Sequence, residues 1–185
     1  MKIPFLSFDF QNKTTRDSVI ESITGVIDSK RYVLSKNVLL FEEKFSKINN
    51  VKHVIGVGSG LDALIISLKA LGLGEGDEVI VASNAYIASW LSITNVGAKI
   101  VPVEPEPETF NIDPNKIEEK ITSKTKVIMP VHLFGQACEM DQIMLIAKKY
   151  KLFVVEDNAQ AHLAKHNNKL TGTFGTINAT SFYPT

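Results

Sequence analysis

The chain has few of the features that mark secreted, membrane-bound or nucleic-acid-binding proteins. Its 185 residues include one cysteine, Cys138, which excludes an intrachain disulfide framework and suits a reducing compartment. The 20 basic and 20 acidic side chains cancel, so no charge excess indicates nucleic acid or an anionic membrane as a partner. No apolar run approaches the ~18 residues of a membrane span, and the N-terminus lacks the apolar core of a signal peptide. We therefore expect a soluble, cytoplasmic protein.

The apolar residues recur in a rhythm typical of alternating strands and helices. Six short apolar runs begin roughly 21 to 27 residues apart, about the length of a strand, a turn and a crossover helix. The runs are continuously apolar, as expected for parallel strands covered on both faces. The sequence therefore predicts an α/β fold with a mostly parallel, doubly wound sheet. The predicted strands are residues 53–57, 78–82, 99–103, 126–131, 152–155 and 179–182, the last of open direction.

Helices are predicted before and between these strands. They cover residues 15–27, 38–48, 61–71, 86–94, 114–121 and 141–149. The first carries apolar residues on one face at helical spacing, and in the second we expect the apolar residues to point inward. The residues concerned are Val19, Ile20, Ile23, Val26 and Ile27, then Leu40, Phe41, Phe45 and Ile48.

Ligands of such sheets bind beyond the carboxyl ends of the strands, so residues there are the candidates for a site. The first predicted strand ends in GVGSG, residues 56–60, and a helix follows at once. Glycines let the backbone approach a ligand, and a helix N-terminus favours an anion such as phosphate. A tight strand-to-helix turn is the plainer alternative. The stretch also resembles the first motif of S-adenosylmethionine-dependent methyltransferases, although these usually have an acidic residue where Gly56 stands.

Two residues at other strand ends have competing interpretations. Tyr86 begins the helix after the second strand, where its ring could cover a planar ligand or fill the core between helix and sheet. His132 follows the fourth strand, and we expect it to be a hydrogen-bonded structural residue.

The fifth strand ends in EDNAQAH, residues 156–162. A carboxylate at a strand end often only caps a turn. The combination of Asp157, Gln160 and His162 indicates a site instead. His162 and His166 lie four residues apart without a cysteine pair or further carboxylate at ligand spacing, so no metal site is predicted.

An anion cradle, an aromatic ring and a carboxylate match the three parts of pyridoxal 5′-phosphate. A carboxylate beside the pyridine nitrogen raises the pKa of that nitrogen and keeps it protonated, so the ring can accept electrons from a carbanion. Asp157 would fill this role, and Gln160 could hydrogen-bond the ring hydroxyl.

Five stretches of the sequence match a known family in order: GVGSGLDALIISLKALGLGEGDEVIVAS, NVGAKIVPVEPEPETFNIDP, TKVIMPVHLFGQACEMD, VVEDNAQAH and TSFYPT. In these stretches the sequence resembles the nucleotide-sugar aminotransferases, the DegT-type branch of the fold type I pyridoxal phosphate enzymes. The resemblance implies the large domain of the aspartate aminotransferase-like fold. It also implies that Ser59, Gly60 and Ser181 hold the cofactor phosphate.

The same resemblance implies roles for the other candidates. Tyr86 would stack on the cofactor ring, Asp157 would pair with the ring nitrogen, and Gln160 would bind the ring hydroxyl. The family motif continues SFYPT with the Schiff-base lysine, which would come immediately after Thr185. Relatives are about twice as long and form homodimers. We therefore expect residues 1–185 to be the N-terminal, large pyridoxal-phosphate-binding domain of a longer protein with a small C-terminal domain.

The resemblance also bears on the substrate. GLDAL, residues 60–64, resembles the branch that aminates carbon 3 of a dTDP-linked 3-keto-6-deoxyhexose, with glutamate as amino donor. Relatives often have a glycine near Ser35, in a loop close to the sugar-nucleotide site, and this chain departs from them there. Three alternatives stay open: a dehydratase of the same fold with histidine in place of the lysine, the methyltransferase, and a non-catalytic relative.

Overall fold

The chain forms two compact units. The computed structural model describes residue 4 and residues 7–183. The first unit holds helix α1 (Asp9–Ser29), nearly all of α2 (Lys36–Asn49) and residues 53–56. The second holds residues 57–183 together with residues 49–52.

The apolar faces of α1 and α2 are largely exposed. The expectation that the second helix points its apolar residues inward is wrong for Leu40, Phe41 and Ile48, while Phe45 is half-buried. None of the 21 residues of α1, all of which the structure describes, is buried. Ile23 and Ile27 are 54% and 56% exposed, and Leu40 on α2 is 48% exposed. Helical periodicity identifies which face is apolar, but it does not say whether the same chain covers that face.

Five parallel strands form the sheet of the second unit. In spatial order they are β2 (Lys99–Val103), β1 (Glu78–Ala82), β3 (Thr125–Met129), β4 (Phe153–Asp157) and β7 (Ile177–Ala179). Every pairing among them is parallel, which settles the direction of the last predicted strand. That strand begins and ends earlier in the chain than predicted. Between β4 and β7, the two-residue strands β5 (Lys165–His166) and β6 (Lys169–Leu170) pair in an antiparallel hairpin.

Residues 53–57 form no strand in the part of the chain that the structure describes, so that prediction is wrong. The run is apolar, but Ile55 is 78% exposed and Val57 is 41% exposed. A short apolar run satisfies the composition of a buried strand without providing a neighbouring strand to pair with. In the first unit the segment is instead held by a side chain of α2, because the Gly56 N–H donates to Glu42 Oε1 at 2.7 Å.

Helices cover both faces of the sheet, as the doubly wound prediction requires. On one face, α3 (Gly60–Ala70) and α4 (Ile87–Asn95) contribute Leu64, Leu68 and Ile93 to a core with Val79 and Val81. On the other face, α5 (Met140–Tyr150) packs Ile143 and Ile146 against Ile80, Ile128 and Val154. Alternate residues of β1 therefore enter opposite cores, which explains why all of its residues are buried.

One predicted helix takes a tighter form. Residues 114–121 fold as two 3-10 turns, Pro114–Lys116 and Glu118–Lys120, rather than as an α-helix. The Asp113 side chain accepts a hydrogen bond from the Asn115 N–H at 3.0 Å and starts the first turn. No helix in the described ranges is long and apolar enough to cross a membrane.

Candidate active site

The carboxyl ends of the strands and the helix starts beside them carry the predicted site residues. Asp157 is the last residue of β4, Ser59 is the N-cap of α3, and Tyr86 is the N-cap of α4. Ser181 follows β7 by two residues. The parallel topology thus collects residues from distant parts of the sequence at one edge of the sheet.

Ser181 and Gly60 lie against each other. A Cβ on Gly60 would stand 2.9 Å from the Ser181 Cβ and 3.2 Å from its Oγ, so glycine is required for this approach. The Ser59 hydroxyl donates to Asp62 Oδ2 at 2.9 Å and accepts from the Asp62 N–H at 3.1 Å. At the N-terminus of this three-turn helix the Ser181 hydroxyl and the first backbone N–H groups can donate to an anion, whereas the Ser59 proton is held by Asp62.

Asp157 is nearly buried, with 4% of its surface exposed. Its Oδ2 accepts a hydrogen bond from the Ser89 hydroxyl at 2.7 Å, and its Oδ1 accepts from the Ala159 N–H at 3.1 Å. Burial raises the pKa of the Asp157 carboxyl, while the hydrogen bonds from Ser89 and Ala159 act in the opposite direction. Each carboxylate oxygen has one partner and can accept a further hydrogen bond.

Gln160 holds the loop that follows β3. Its Oε1 accepts a hydrogen bond from the Phe134 N–H at 2.8 Å, at a residue in the left-handed region with φ of 57°. The buried Asn111 fixes the same loop, because its Oδ1 accepts from the Leu133 N–H and its Nδ2 donates to Gln136 O. With its oxygen engaged, the Gln160 amide nitrogen is left as a donor.

The Tyr86 side chain is 63% exposed, so it does not fill the core between helix and sheet. That alternative from the sequence is wrong. The backbone of Tyr86 is extended, with ψ of 144°, and α4 begins at Ile87, one residue later than predicted. The ring is therefore free to cover a planar ligand.

His132 is the hydrogen-bonded structural residue that the sequence predicts. It is fully buried, with Nε2 3.1 Å from Glu156 Oε2. Its Nδ1 lies 3.1 Å from the Cys138 backbone N–H, which can only donate. Nε2 therefore carries the proton and donates it to Glu156. His162, by contrast, is exposed, and its ring centroid lies 5.2 Å from that of Phe182.

Two residues that the sequence did not single out organise this edge of the sheet. Ser89 contacts Asp157 directly. Glu156 accepts hydrogen bonds from three backbone N–H groups of the loop before β7, those of Gly172, Phe174 and Gly175, at 2.6–2.7 Å. The sequence could have indicated a role for Glu156, because it stands next to Asp157 in EDNAQAH. Adjacent strand residues point to opposite faces of the sheet, so the two carboxylates contact different partners.

No group of three or more metal-ligating side chains occurs among the residues the structure describes.

The fold is that of an α/β protein, and its candidate ligand site lies at the carboxyl edge of a parallel sheet. Residues 13–185 match the DegT/DnrJ/EryC1/StrS aminotransferase family, and the chain belongs to that family. This confirms the resemblance seen in the sequence. It also overturns the methyltransferase interpretation of GVGSG.

Individual relatives and solved structures agree with this assignment. The dTDP-3-amino-3,6-dideoxy-alpha-D-galactopyranose transaminase of Aneurinibacillus thermoaerophilus is 51% identical over 97% of this chain and 50% of its own length. The crystal structure of S. venezuelae DesV in complex with a ketimine intermediate has a TM-score of 0.95 at 41% identity, over 99% of this chain and 49% of that one. The structure of ntda from Bacillus subtilis with bound cofactor PMP has a TM-score of 0.89 at 36% identity, over 96% and 40%.

The chain spans about half the length of the curated relatives it matches. Within that half, the structural neighbours confirm the large-domain fold of the pyridoxal phosphate sugar aminotransferases.

Proposed function

We propose that the chain is the cofactor-binding part of an aminotransferase that uses pyridoxal 5′-phosphate and acts on a nucleotide-linked keto sugar. The observation that carries the proposal is Asp157, a buried carboxylate at the end of β4 that keeps acceptor capacity on both oxygens. Burying a carboxylate is costly, so such a group indicates a cationic ligand partner. A protonated pyridine nitrogen is such a partner.

The residues present fit the cofactor. The close approach of Gly60 to Ser181 leaves a corner that a side chain on residue 60 would fill, and this corner offers the Ser181 hydroxyl and backbone N–H donors to a phosphate. The Ser59 hydroxyl would join them on turning away from Asp62. We propose that Ser59, Gly60 and Ser181 hold the phosphate. Tyr86 would cover the ring, and the Gln160 amide nitrogen would donate to the ring hydroxyl.

When bound, pyridoxal phosphate supplies an electron sink for a carbanion, which is what transamination requires. Asp157 serves that chemistry by keeping a proton on the ring nitrogen through its negative charge. Asp157 pairs with Ala179 in the sheet and is 4% exposed, so little water reaches its carboxylate. Its charge is therefore screened less than an exposed carboxylate's would be.

The remaining parts of the proposal extend beyond the described residues. We propose that residues 1–185 are the N-terminal portion of a large cofactor-binding domain, followed by a small domain, in a cytoplasmic homodimer. A lysine immediately after Thr185 would attach the cofactor covalently and move the proton. The transaminase of Aneurinibacillus thermoaerophilus and the GLDAL stretch, residues 60–64, both favour amination at carbon 3 of a dTDP-linked 3-keto-6-deoxyhexose, with glutamate as donor.

Borohydride reduction tests the proposal. The complete protein is reduced, digested, and the peptide that continues from Ser181 is weighed. A lysine with a reduced phosphopyridoxyl group at the position after Thr185 supports the aminotransferase. A histidine there supports the dehydratase of the same fold. An unmodified lysine, with no cofactor absorbance in the intact protein, supports a non-catalytic relative and refutes the proposal.

The substrate is tested separately. The same protein is assayed for amino transfer from glutamate to dTDP-linked 3-keto and 4-keto sugars and to a GDP-linked 4-keto sugar. Preference for the dTDP-linked 3-keto sugar is expected. Preference for a 4-keto sugar would refute the carbon-3 assignment and leave the cofactor assignment intact.

A further inference from the structure

We propose that Ser89 is a positioning residue that holds the Asp157 carboxylate in place for the ring nitrogen of the cofactor. The inference rests on the proposed function. The Ser89 hydroxyl lies 2.7 Å from Asp157 Oδ2, and the two residues are 0% and 4% exposed. An O–H to carboxylate hydrogen bond of this length in a buried site is of the strong, charge-assisted kind.

The direction of this hydrogen bond follows from the groups involved. A serine hydroxyl has one hydrogen to donate, and an ionised carboxylate can only accept. Ser89 therefore donates its proton to Oδ2, while Oδ1 accepts one hydrogen bond from the Ala159 N–H. The two donors fix the plane of the carboxylate from both sides, and each oxygen keeps a lone pair for a cationic partner.

The Ser89 hydrogen bond also favours the ionised form of Asp157. Burial raises the pKa of this carboxyl, and the Ser89 hydroxyl is the largest of the influences that lower it. The Ala159 N–H also lowers it, whereas the Nε2 proton of His132 is directed at Glu156 and not at Asp157. Without Ser89, Asp157 would be protonated more readily, and a neutral carboxylic acid cannot keep the ring nitrogen protonated.

The alternative is that Ser89 only helps to pack α4 against the sheet. Other contacts already hold this helix. The Trp90 Nε1–H donates to Ala82 O, at the end of β1, at 3.2 Å, and Ile93 is fully buried in the core. Loss of one hydroxyl group therefore need not displace α4, and positioning of Asp157 can be measured separately from packing.

Ser92 provides a matched control on the same helix. It is also 0% exposed, but its hydroxyl donates to a backbone carbonyl, Ser89 O, at 2.6 Å. Ser89→Ala and Ser92→Ala remove the same atom from equally buried positions one turn apart. Only the first removes a donor from Asp157.

The experiment uses the holoenzyme of the complete protein, loaded with pyridoxal phosphate labelled with ¹⁵N in the ring. We expect Ser89→Ala to move the ring ¹⁵N resonance towards that of the unprotonated pyridine and to weaken cofactor binding by about tenfold, the effect of one lost hydrogen bond to a charged group. Ser92→Ala should change neither quantity. Ser89→Thr keeps a hydroxyl group at this position, so its ring ¹⁵N resonance should lie closer to that of the wild type than the resonance of Ser89→Ala does.

The outcomes separate this inference from the proposed function. An unchanged resonance in Ser89→Ala, or an equal change in Ser92→Ala, overturns the role of Ser89 while the wild-type resonance still supports the cofactor site. A wild-type protein that binds no pyridoxal phosphate, or holds it with an unprotonated ring nitrogen, overturns both. If Ser89→Ala does not fold, Ser89→Cys replaces it, because a thiol is a weaker donor of similar shape and should give a smaller change in the same direction.

Discussion

Ser181 lies against Gly60 so closely that a Cβ on Gly60 would stand 2.9 Å from the Ser181 Cβ. This contact joins the segment after β7 to the first residue of α3, and it places a hydroxyl group beside a helix N-terminus. Real Cβ atoms essentially never approach a neighbouring side chain at that distance, so the contact depends on glycine.

We therefore predict that Gly60→Ala displaces Ser181 and weakens cofactor binding by about tenfold, since donors to a charged group move out of reach. Placing an extra methyl group in this close contact should also lower the free energy of unfolding by about 1–3 kcal/mol. Titration of the apoprotein with pyridoxal phosphate and urea unfolding measure the two effects.

Gly74→Ala is the control for this substitution, because a Cβ at Gly74 would meet nothing within 4 Å. It should leave both quantities close to the wild type. Wild-type cofactor affinity in Gly60→Ala would mean that the Gly60–Ser181 corner does not hold the phosphate.

Glu156 gives a prediction about stability alone. Each of its carboxylate oxygens accepts two hydrogen bonds: Oε1 from the Phe174 and Gly175 N–H groups, and Oε2 from the Gly172 N–H and His132 Nε2. In Glu156→Gln, either orientation of the amide directs an NH₂ group at two donors. We expect a loss of about 3 kcal/mol of unfolding free energy, the usual cost of breaking a buried charged network.

Glu119→Gln is the comparison for Glu156→Gln, since the Glu119 carboxylate is exposed and its ion pair with Lys120 lies at the surface. Urea unfolding of this variant should differ from the wild type by less than about 1 kcal/mol. Equal, small effects of the two substitutions would show that the four hydrogen bonds to Glu156 contribute little.

Asp157 gives a prediction about pH. Burial raises the pKa of its carboxyl, so the folded protein binds that proton more tightly than the unfolded chain does. Its contribution to stability is therefore fully present below the pKa of the unfolded aspartate, and is lost as the pH rises through the folded pKa. Asp157→Asn keeps the shape of the side chain and removes the charge.

In the cofactor-free protein, we expect Asp157→Asn to unfold at higher urea concentration than the wild type at neutral pH, with the difference shrinking as the solution is acidified. The same variant should bind pyridoxal phosphate more weakly. Urea midpoints measured across the acidic range test the first part. A wild-type protein more stable than Asp157→Asn at neutral pH would contradict it.

The strands were the most predictable part of the fold. Residues 78–82 and 99–103 were predicted to the residue, because dense runs of Val and Ile are bounded by polar or glycine-rich turns. The run at residues 53–57 has a similar composition and forms no strand, since composition does not reveal whether a pairing neighbour is present. The apolar residues of α1 and α2 likewise recur at helical spacing, but this pattern does not reveal whether other residues of the chain cover them.

Some residues of the candidate site could be identified from the sequence, and others only from the structure. Asp157, Gln160 and the glycine-rich turn stand out in the sequence because polar or flexible residues follow directly on a core strand. Ser89 does not, because its importance comes from a contact with a residue 68 positions away. A serine within a helix is ordinary until the fold brings a buried carboxylate to it, so only tertiary structure could identify it.

Tyr86 gives a prediction that separates cofactor binding from folding. Its side chain is 63% exposed at the N-cap of α4 and makes no side-chain capping bond, so its removal should change the unfolding free energy of the cofactor-free protein by no more than about 0.5 kcal/mol. If the ring stacks on the cofactor, Tyr86→Ala should weaken pyridoxal phosphate binding by about three- to tenfold, the usual contribution of one aromatic stacking contact.

Tyr86→Phe is the control, because it keeps the ring and should bind as the wild type does. Fluorescence titration of the apoprotein measures the affinities and urea unfolding the stability. Equal weakening by both substitutions would assign the effect to the hydroxyl, and unchanged affinity in Tyr86→Ala would remove Tyr86 from the site.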